Sequence, residues 1–319
     1  MPAISATAPG KIILFGEHAV VYGRPAIAVP VAQVRARAIV SAQPSAFPPR
    51  VRIQAPNIGF EAHLDELPED HPLAAAISGV AKTLNLRRLP ACTVRITSTI
   101  PVAAGLGSGA AVSVAIIRAF SAFLGHPLSD EMISGLAFEV EKIHHGTPSG
   151  IDNTVITYAM PVYFVRDQPI KTFRVAKPFT IVIGDTGISS PTAVTVGDVR
   201  HAWLVYPEPY EQIFDRIGST VQSAREIIEN GDPKDLGKLM IANHQALQEL
   251  EVSSPHLDRL VEAACNAGAW GAKLSGGGRG GNIIALVEKD KDLIVAQALT
   301  ASGATRVIIT EVRSIGKPT

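Results

Sequence analysis

The amino-acid sequence predicts an α+β protein of two domains, on three observations. At 319 residues with 46% hydrophobic content, the chain is long enough for about two domains with a substantial core. Strand-like runs open and close each half, with helical periods grouped between them, the pattern of helices laid on a sheet. Between the halves, the polar and proline-punctuated RDQPIKTFRVAKP marks a boundary, giving domains of residues 1–174 and 175–319.

From Lys11 to Val40 the chain is rich in Ile, Val and Ala with Gly16 and Gly23 as punctuation, which predicts successive strands or a hairpin. CTVRITSTI has the β-branched content of a strand. Pro101 and three glycines break it, and AAVSVAIIRAFSAFLG then carries helical spacing to Gly125. Ser129 is placed to cap a further helix, with Asp130 and Glu131 in its positive first turn and a stop near Gly146. A strand-like stretch ends around Phe164. The second half opens on FTIVIGDTG. One helix follows with Ile213, Phe214, Ile217, Val221 and Ala224 on a single face, and Asp232-Pro233 and Ser254-Pro255 start two more. GAKLSG, NIIALVE, a short helix from Asp290 and TRVIITEV complete an α+β second half.

Composition narrows the function. Lys+Arg 29 against Asp+Glu 29 leaves no net charge, so nothing marks a surface for nucleic acid or an anionic membrane; a small neutral or anionic ligand fits better. Cys92 and Cys265 form no CxxC pair, which argues against a zinc site and suits a reducing compartment, with both as small buried hydrophobes. No basic stretch precedes an apolar one at the N-terminus, so the cytoplasm is the expected location. The uncharged run between Arg95 and Arg118 contains a GxxxG spacing, but Pro101 and its Ser/Thr content divide it into strand, turn and helix rather than a membrane span.

Three glycine segments carry the chemistry. PVAAGLGSGAAVS satisfies G-x-G-x-x-A from Gly105 to Ala110, yet a dinucleotide fingerprint needs an acidic residue ending the next strand, whereas Asp130 and Glu131 begin a helix. A Walker loop fails without Gly-Lys-Ser/Thr, and G-x-S-x-G fails because Leu106 replaces the first glycine. Either the glycines serve a tight strand-to-helix turn, or their backbone N–H groups and the helix N-terminus cradle a phosphate. TPSGIDN fixes a bend before Asp152, which either caps the next element or is a carboxylate held in a chosen direction. KLSGGGRGG, from Lys273, is either a close approach to backbone or a hairpin turn. In APGKIILFGEHAVVYG, the charged Lys11, Glu17 and His18 need partners if they are buried in so apolar a run.

Taken in order, APGKIILFGEHAVVYG, PVAAGLGSGAA and KLSGGGRGGNIIALV resemble the GHMP kinases, named for their galactose, homoserine, mevalonate and phosphomevalonate enzymes. The first segment and TPSGIDN are most similar to the members that act on mevalonate. The resemblance spans nearly the whole chain and implies a two-domain fold with the active site between the domains, ATP as co-substrate, Mg2+ as cofactor, mevalonate as substrate and a homodimer as the expected assembly. By the same resemblance, Pro101, Ala104, Gly105, Leu106, Gly107, Ser108, Gly109 and Ala110 belong to the ATP phosphate segment. Asp152 matches the catalytic aspartate, and Lys11 the lysine beside it. Glu141 matches the magnesium-binding glutamate; for the metal-holding serine whose place Gly109 takes, either Ser108 moves in as a ligand, a water replaces it, or Glu141 carries more of the metal binding. Glu17 and His18 match the substrate segment, Thr192 matches a threonine facing the active site, and Gly277 and Arg279 are expected on the substrate side, Arg279 being either a phosphate-binding or a solvated turn arginine. Such residues suit phosphoryl transfer, which asks mainly for positioning and charge neutralisation.

Two departures stand out. Gly109 occupies a position where many relatives acting on mevalonate carry a second serine that helps hold magnesium. Gly277, Arg279 and Asn282 replace the family's usual alanine, glycine and cysteine, and the planar fork of Arg279 suits phosphate or carboxylate. A sibling kinase acting on phosphomevalonate or another mevalonate hydroxyl is therefore the alternative, ahead of a nucleic-acid-binding module and a nicotinamide oxidoreductase.

Overall fold

The structure, a computed structural model, describes residues 3–44, 47–101, 104–145, 148–189 and 191–313. Strands β1 (Ile4–Phe15) and β2 (Ala26–Ala42) are joined through a 3-10 turn over Ala19–Tyr22, and β3 (Val51–Ala55) and β4 (Phe60–His63) follow. Next come α1 (Pro72–Thr83), β5 (Cys92–Ser98), α2 (Ser108–Phe123), α3 (Asp130–His145) and α4 (Ile151–Tyr158). Short strands β6 (Val162–Phe164) and β7 (Lys171–Thr172) precede β8 (Phe179–Asp185), after which α5 (Thr192–Val205), α6 (Pro207–Asn230), α7 (Leu236–Glu249) and α8 (Pro255–Asn266) run consecutively. The chain ends on β9 (Gly271–Ser275), β10 (Asn282–Val287), α9 (Asp292–Ala301) and β11 (Arg306–Val312).

Two sheets organise these strands. One has the order β4-β3-β5-β2-β6-β7 with β1 also paired to β2; the other is β11-β8-β10-β9, antiparallel throughout. The architecture is mixed α+β, as predicted. By compactness the chain divides into one unit made of Met1–Gly10, Val34–Val102 and Leu106–Ala159, and a second made of Lys11–Gln33, Ala103–Gly105 and Met160–Thr319.

In the first unit, α1, α2 and α3 pack on one another and α2 lies on β5. Helix α2 buries Ala111, Val114, Ile117, Phe120 and much of its remaining circumference, which explains an apolar run without charge: it is wrapped by protein. Among the described residues no helix is long and apolar enough to cross a membrane. Ser129 does cap α3, its Oγ accepting from the Met132 N–H at 3.3 Å. Cys92 is fully buried on β5, and burial pushes its thiol up to about 12, whereas Cys265 is only half-buried.

In the second unit, α7 and α8 lie on β9, and α9 lies on β8 and β11. The contact of α7 with β9 is a glycine-on-glycine approach: a Cβ on Gly271 would stand 2.1 Å from the Gly237 carbonyl oxygen. Such closeness brings His244 of α7 over β9, where its Nδ1 accepts from the Leu274 N–H at 3.3 Å and its Nε2 donates to Asp258 at 3.1 Å. Ser254 caps α8 through the Leu257 N–H at 3.4 Å, and Asp232-Pro233 opens a 3-10 turn that runs into α7. Helix α5 is absent from the sequence prediction because it has no apolar stripe to read: it buries only Thr195 and Val199 while Val194, Leu204 and Val205 stay exposed.

Candidate active site

The segment expected to face the substrate begins where β1 ends. Gly16 has φ +99°, and an added Cβ would stand 2.5 Å from both the Ala26 Cα and the Pro25 carbonyl oxygen, so only glycine fits this turn. The turn delivers Glu17 and His18 into the protein, 3% and 4% exposed. A buried carboxylate needs a cation, and Glu17 finds it in Lys273 of β9, whose Nζ donates to Glu17 Oε1 and, at 2.6 Å, to the Leu274 carbonyl. Burial raises the Glu17 pKa and lowers that of Lys273, and the ion pair opposes both shifts. Glu17 Oε2 is buried with no hydrogen-bond partner among the described residues.

His18 has φ 59°, a conformation uncommon for a residue with a Cβ. Its Nε2 lies 3.0 Å from the Gly277 carbonyl oxygen. Burial pushes its pKa down to about 4; the bond to Gly277 opposes the shift and the Arg279 cation adds to it. These facts fix the tautomer. The ring is neutral at ordinary pH, a carbonyl only accepts, so Nε2 carries the proton and Nδ1 keeps its lone pair. That Nδ1 is buried and has no partner among the described residues, leaving an acceptor for an incoming hydroxyl.

Beyond His18 the segment is clamped: Tyr22 stacks on Phe214 at 4.1 Å and lies 5.2 Å from Trp203, while Arg24 pairs with Glu211 and Asp215 of α6. The third glycine segment, between β9 and β10, faces α5. A Cβ on Gly277 would stand 2.8 Å from Thr192 Oγ1, so this glycine lets α5 settle on the turn and brings Thr192, Gly277 and His18 together. Arg279 is held tightly: its N–H donates to the Val252 carbonyl at 2.8 Å, its Nε to the Glu251 carbonyl at 3.3 Å and its Nη1 to Asp198. Asn282, 3% exposed, donates from Nδ2 to the Ala104 carbonyl at the entrance of the phosphate segment, and its Oδ1 is buried without a partner.

Within the phosphate segment, Val102 and Ala103 lie outside the described residues. Ala104 and Gly105 belong to the second unit, while Leu106, Gly107, Ser108, Gly109 and Ala110 belong to the first. Gly107, at φ 71°, is the N-cap of α2 and offers no side chain to it. The first hydrogen bond at this helix end runs from the Ala111 N–H to the Gly107 carbonyl at 3.0 Å, so the N–H groups of Ser108, Gly109 and Ala110 precede the helical ladder. A strand, a glycine turn and a helix N-terminus occur in the predicted order, with half-buried Pro101 ahead of them.

The first unit also carries Asp152, second residue of α4, which is tied to α3 by Asn153 Nδ2 donating to the Ser134 carbonyl at 3.0 Å and to its Oγ at 2.9 Å. Glu141 is buried on α3, and Lys11, 8% exposed, lies on β1 in the second unit. Among the described residues no group of three or more His, Cys, Asp or Glu is placed to hold a metal ion, so no all-protein metal cage is present. Lys273 and Asp198 were missed by the sequence reading. A signal for Lys273 existed, since a lysine flanked by apolar residues in GAKLS is the cation that a buried Glu17 requires.

Residues 73–160 match the family model of the GHMP kinases N terminal domain, and residues 224–305 that of the GHMP kinases C terminal domain. A mevalonate kinase of Thermococcus gammatolerans is 39% identical over 98% of this chain and 97% of its own. Among solved structures, the L. major mevalonate kinase in complex with R-mevalonate is 30% identical with a TM-score of 0.84, covering 97% of this chain and 95% of that one. The Methanococcus jannaschii mevalonate kinase is 26% identical with a TM-score of 0.85 over 99% of both chains.

Proposed function

The chain belongs to the GHMP kinase family, and from that premise we infer that it is a mevalonate kinase, transferring the terminal phosphoryl group of ATP to the 5-hydroxyl of mevalonate. The observation that carries this reading is the near full-length similarity to mevalonate kinases, with the glycine segments and the Glu17-His18 turn all present. The turn is chemically apt. A carboxylate oxygen and an imidazole lone pair, both buried and unpartnered, form an acceptor surface that suits the hydroxyl groups of such a substrate. Thr192, Gly277 and Arg279 border it. The Arg279 cation already has Asp198 for a counter-charge, which favours an unphosphorylated substrate over a phosphorylated one.

Asp152 accepts the proton of the attacking hydroxyl, and Lys11 neutralises charge on the transferring group. The N–H groups from Ala104 to Ala110 hold the phosphates of ATP, with Pro101 setting the entry to the turn. The buried carboxylate of Glu141 and the hydroxyl of Ser108 at the start of α2 are hard oxygen donors of the kind that would hold magnesium. When bound it supplies charge neutralisation on the phosphates. We read the domains as 1–174 and 175–319, and the enzyme as cytoplasmic and homodimeric, with no nucleic-acid or membrane partner.

Purified protein assayed with ATP against mevalonate, phosphomevalonate, galactose and homoserine tests the reading. Mevalonate is the expected substrate and 5-phosphomevalonate the product; preference for any other member of the panel overturns it.

A further inference from the structure

We propose that Lys273 is a positioning residue: through its buried ion pair with Glu17 it fixes the turn at Gly16–His18, so that the His18 imidazole presents Nδ1 to the substrate. The inference rests on the reading of His18 as a substrate-facing group.

The His18 backbone lies in a region that a residue with a Cβ seldom occupies, and such a conformation persists only where its surroundings over-determine it. Glu17 is held by Lys273 Nζ at Oε1, with the backbone of Gly276 also favouring its carboxylate, and His18 by Nε2 donating to the Gly277 carbonyl. Both anchors come from β9 and the loop that follows it. Ser275, on the same strand, adds a third tie by donating from Oγ to the Ile13 carbonyl on β1 at 2.7 Å. The segment Ile13–His18 is therefore tied to β9 and the loop after it at three points, Lys273, Ser275 and Gly277.

Lys273 suits the part of a rigid post. Its side chain is completely buried, and two of its three N–H donors are committed, one to Glu17 and one to the Leu274 carbonyl in its own strand. The strand beneath it cannot drift, because β9 is paired with β10 along its length, with Lys273 opposite Ile284, and is approached at glycine distance by α7. Glu17, by contrast, spends one oxygen on the post and leaves Oε2 unpartnered, so the carboxylate is aimed by Lys273 rather than consumed by it. Withdrawing the ammonium frees the carboxylate to swing, and the adjacent His18 then relaxes out of its strained conformation, ending the single orientation that Gly277 selects.

The test uses the full chain and three variants. In Lys273→Met, the KM for mevalonate should rise about tenfold or more while the KM for ATP stays within about twofold, as expected for a displaced substrate group. A nitrogen-15 spectrum of the imidazoles, with the His18 signal assigned from His18→Gln, should show a pure Nε2–H tautomer in the wild type and a mixed one in Lys273→Met. If that variant does not fold, Glu17→Met combined with Lys273→Met replaces the pair by apolar side chains of similar length and is read by the His18 tautomer alone, because it also removes the Glu17 acceptor. An unchanged His18 tautomer in whichever variant folds overturns the proposal, as does an unchanged mevalonate KM, or a rise confined to the KM for ATP, in a folded Lys273→Met. If His18→Gln itself leaves the mevalonate KM unchanged, the site reading fails instead, whatever Lys273 does.

Discussion

Gly16 and Gly23 bracket the Glu17–His18 turn, share a left-handed backbone and differ in the space around them, so replacing each by alanine separates strain from collision. Both have positive φ, +99° and +81°, and each substitution carries a conformational cost of about 1–2 kcal/mol for an L residue in that region. At Gly23 nothing lies within 4 Å of the added Cβ, and the cost stops there. At Gly16 the Cβ meets Ala26 Cα and Pro25 oxygen at 2.5 Å and Ala26 Cβ at 2.7 Å; backbone atoms cannot swing aside, so overpacking adds about 1–3 kcal/mol. Gly16→Ala should therefore lose roughly 2–5 kcal/mol, a large part of a typical stability of about 5–15 kcal/mol, against about 1–2 kcal/mol for Gly23→Ala. Both tryptophans, Trp203 and Trp270, lie in the same compact unit as this turn, so tryptophan fluorescence during urea unfolding reports the affected unit. The mevalonate KM should rise in Gly16→Ala and hold in Gly23→Ala. Losses equal to within about 0.5 kcal/mol would refute the collision argument.

Asp152→Asn should lower kcat by about 100-fold or more with an unchanged unfolding profile, and turnover near the wild-type level removes the aspartate from the chemistry. Gly109→Ser should tighten the apparent magnesium affinity by supplying the hydroxyl found in many relatives, measured by magnesium titration of nucleotide binding as well as of activity; an unchanged affinity leaves Gly109 without significance for the metal. His18, held at about 4 by burial against 6.5 in the unfolded chain, takes up its proton only on unfolding between those values, so its contribution to stability is full above pH 6.5 and falls away as the pH drops toward 4. The loss amounts to about 3 kcal/mol, and His18→Gln should abolish it. Taking the difference between wild type and variant removes the opposite trend of Glu17, whose raised pKa favours the folded state as the pH falls.

Local chemistry was legible. Gly105 to Ala110 between a β-branched run and a helical period read correctly as strand, turn and helix, because glycine and helix-start signals act within a few residues. The caps at Ser129 and Ser254 were readable for the same reason. Helix α5 was not: with two buried positions and exposed Leu204 and Val205, its pattern carries no period, and its contacts are with α6, where Trp203 Nε1 donates to Glu211 at 2.8 Å, and with the glycine segment through Thr192 and Asp198. The sequence could say that Glu17 and His18 need partners in an apolar run, but not which ones.

By itself, then, the sequence determined the mixed α+β class, the glycine segments and the residue types that phosphoryl transfer requires. Tertiary structure alone decided that Glu17 meets Lys273 across 256 residues and that His18 donates its Nε2–H to the Gly277 carbonyl, leaving Nδ1 with its lone pair. The physical reason is that turns and caps follow from the torsional limits of neighbouring residues, whereas the partner of a buried charge is set by which strands the fold brings side by side.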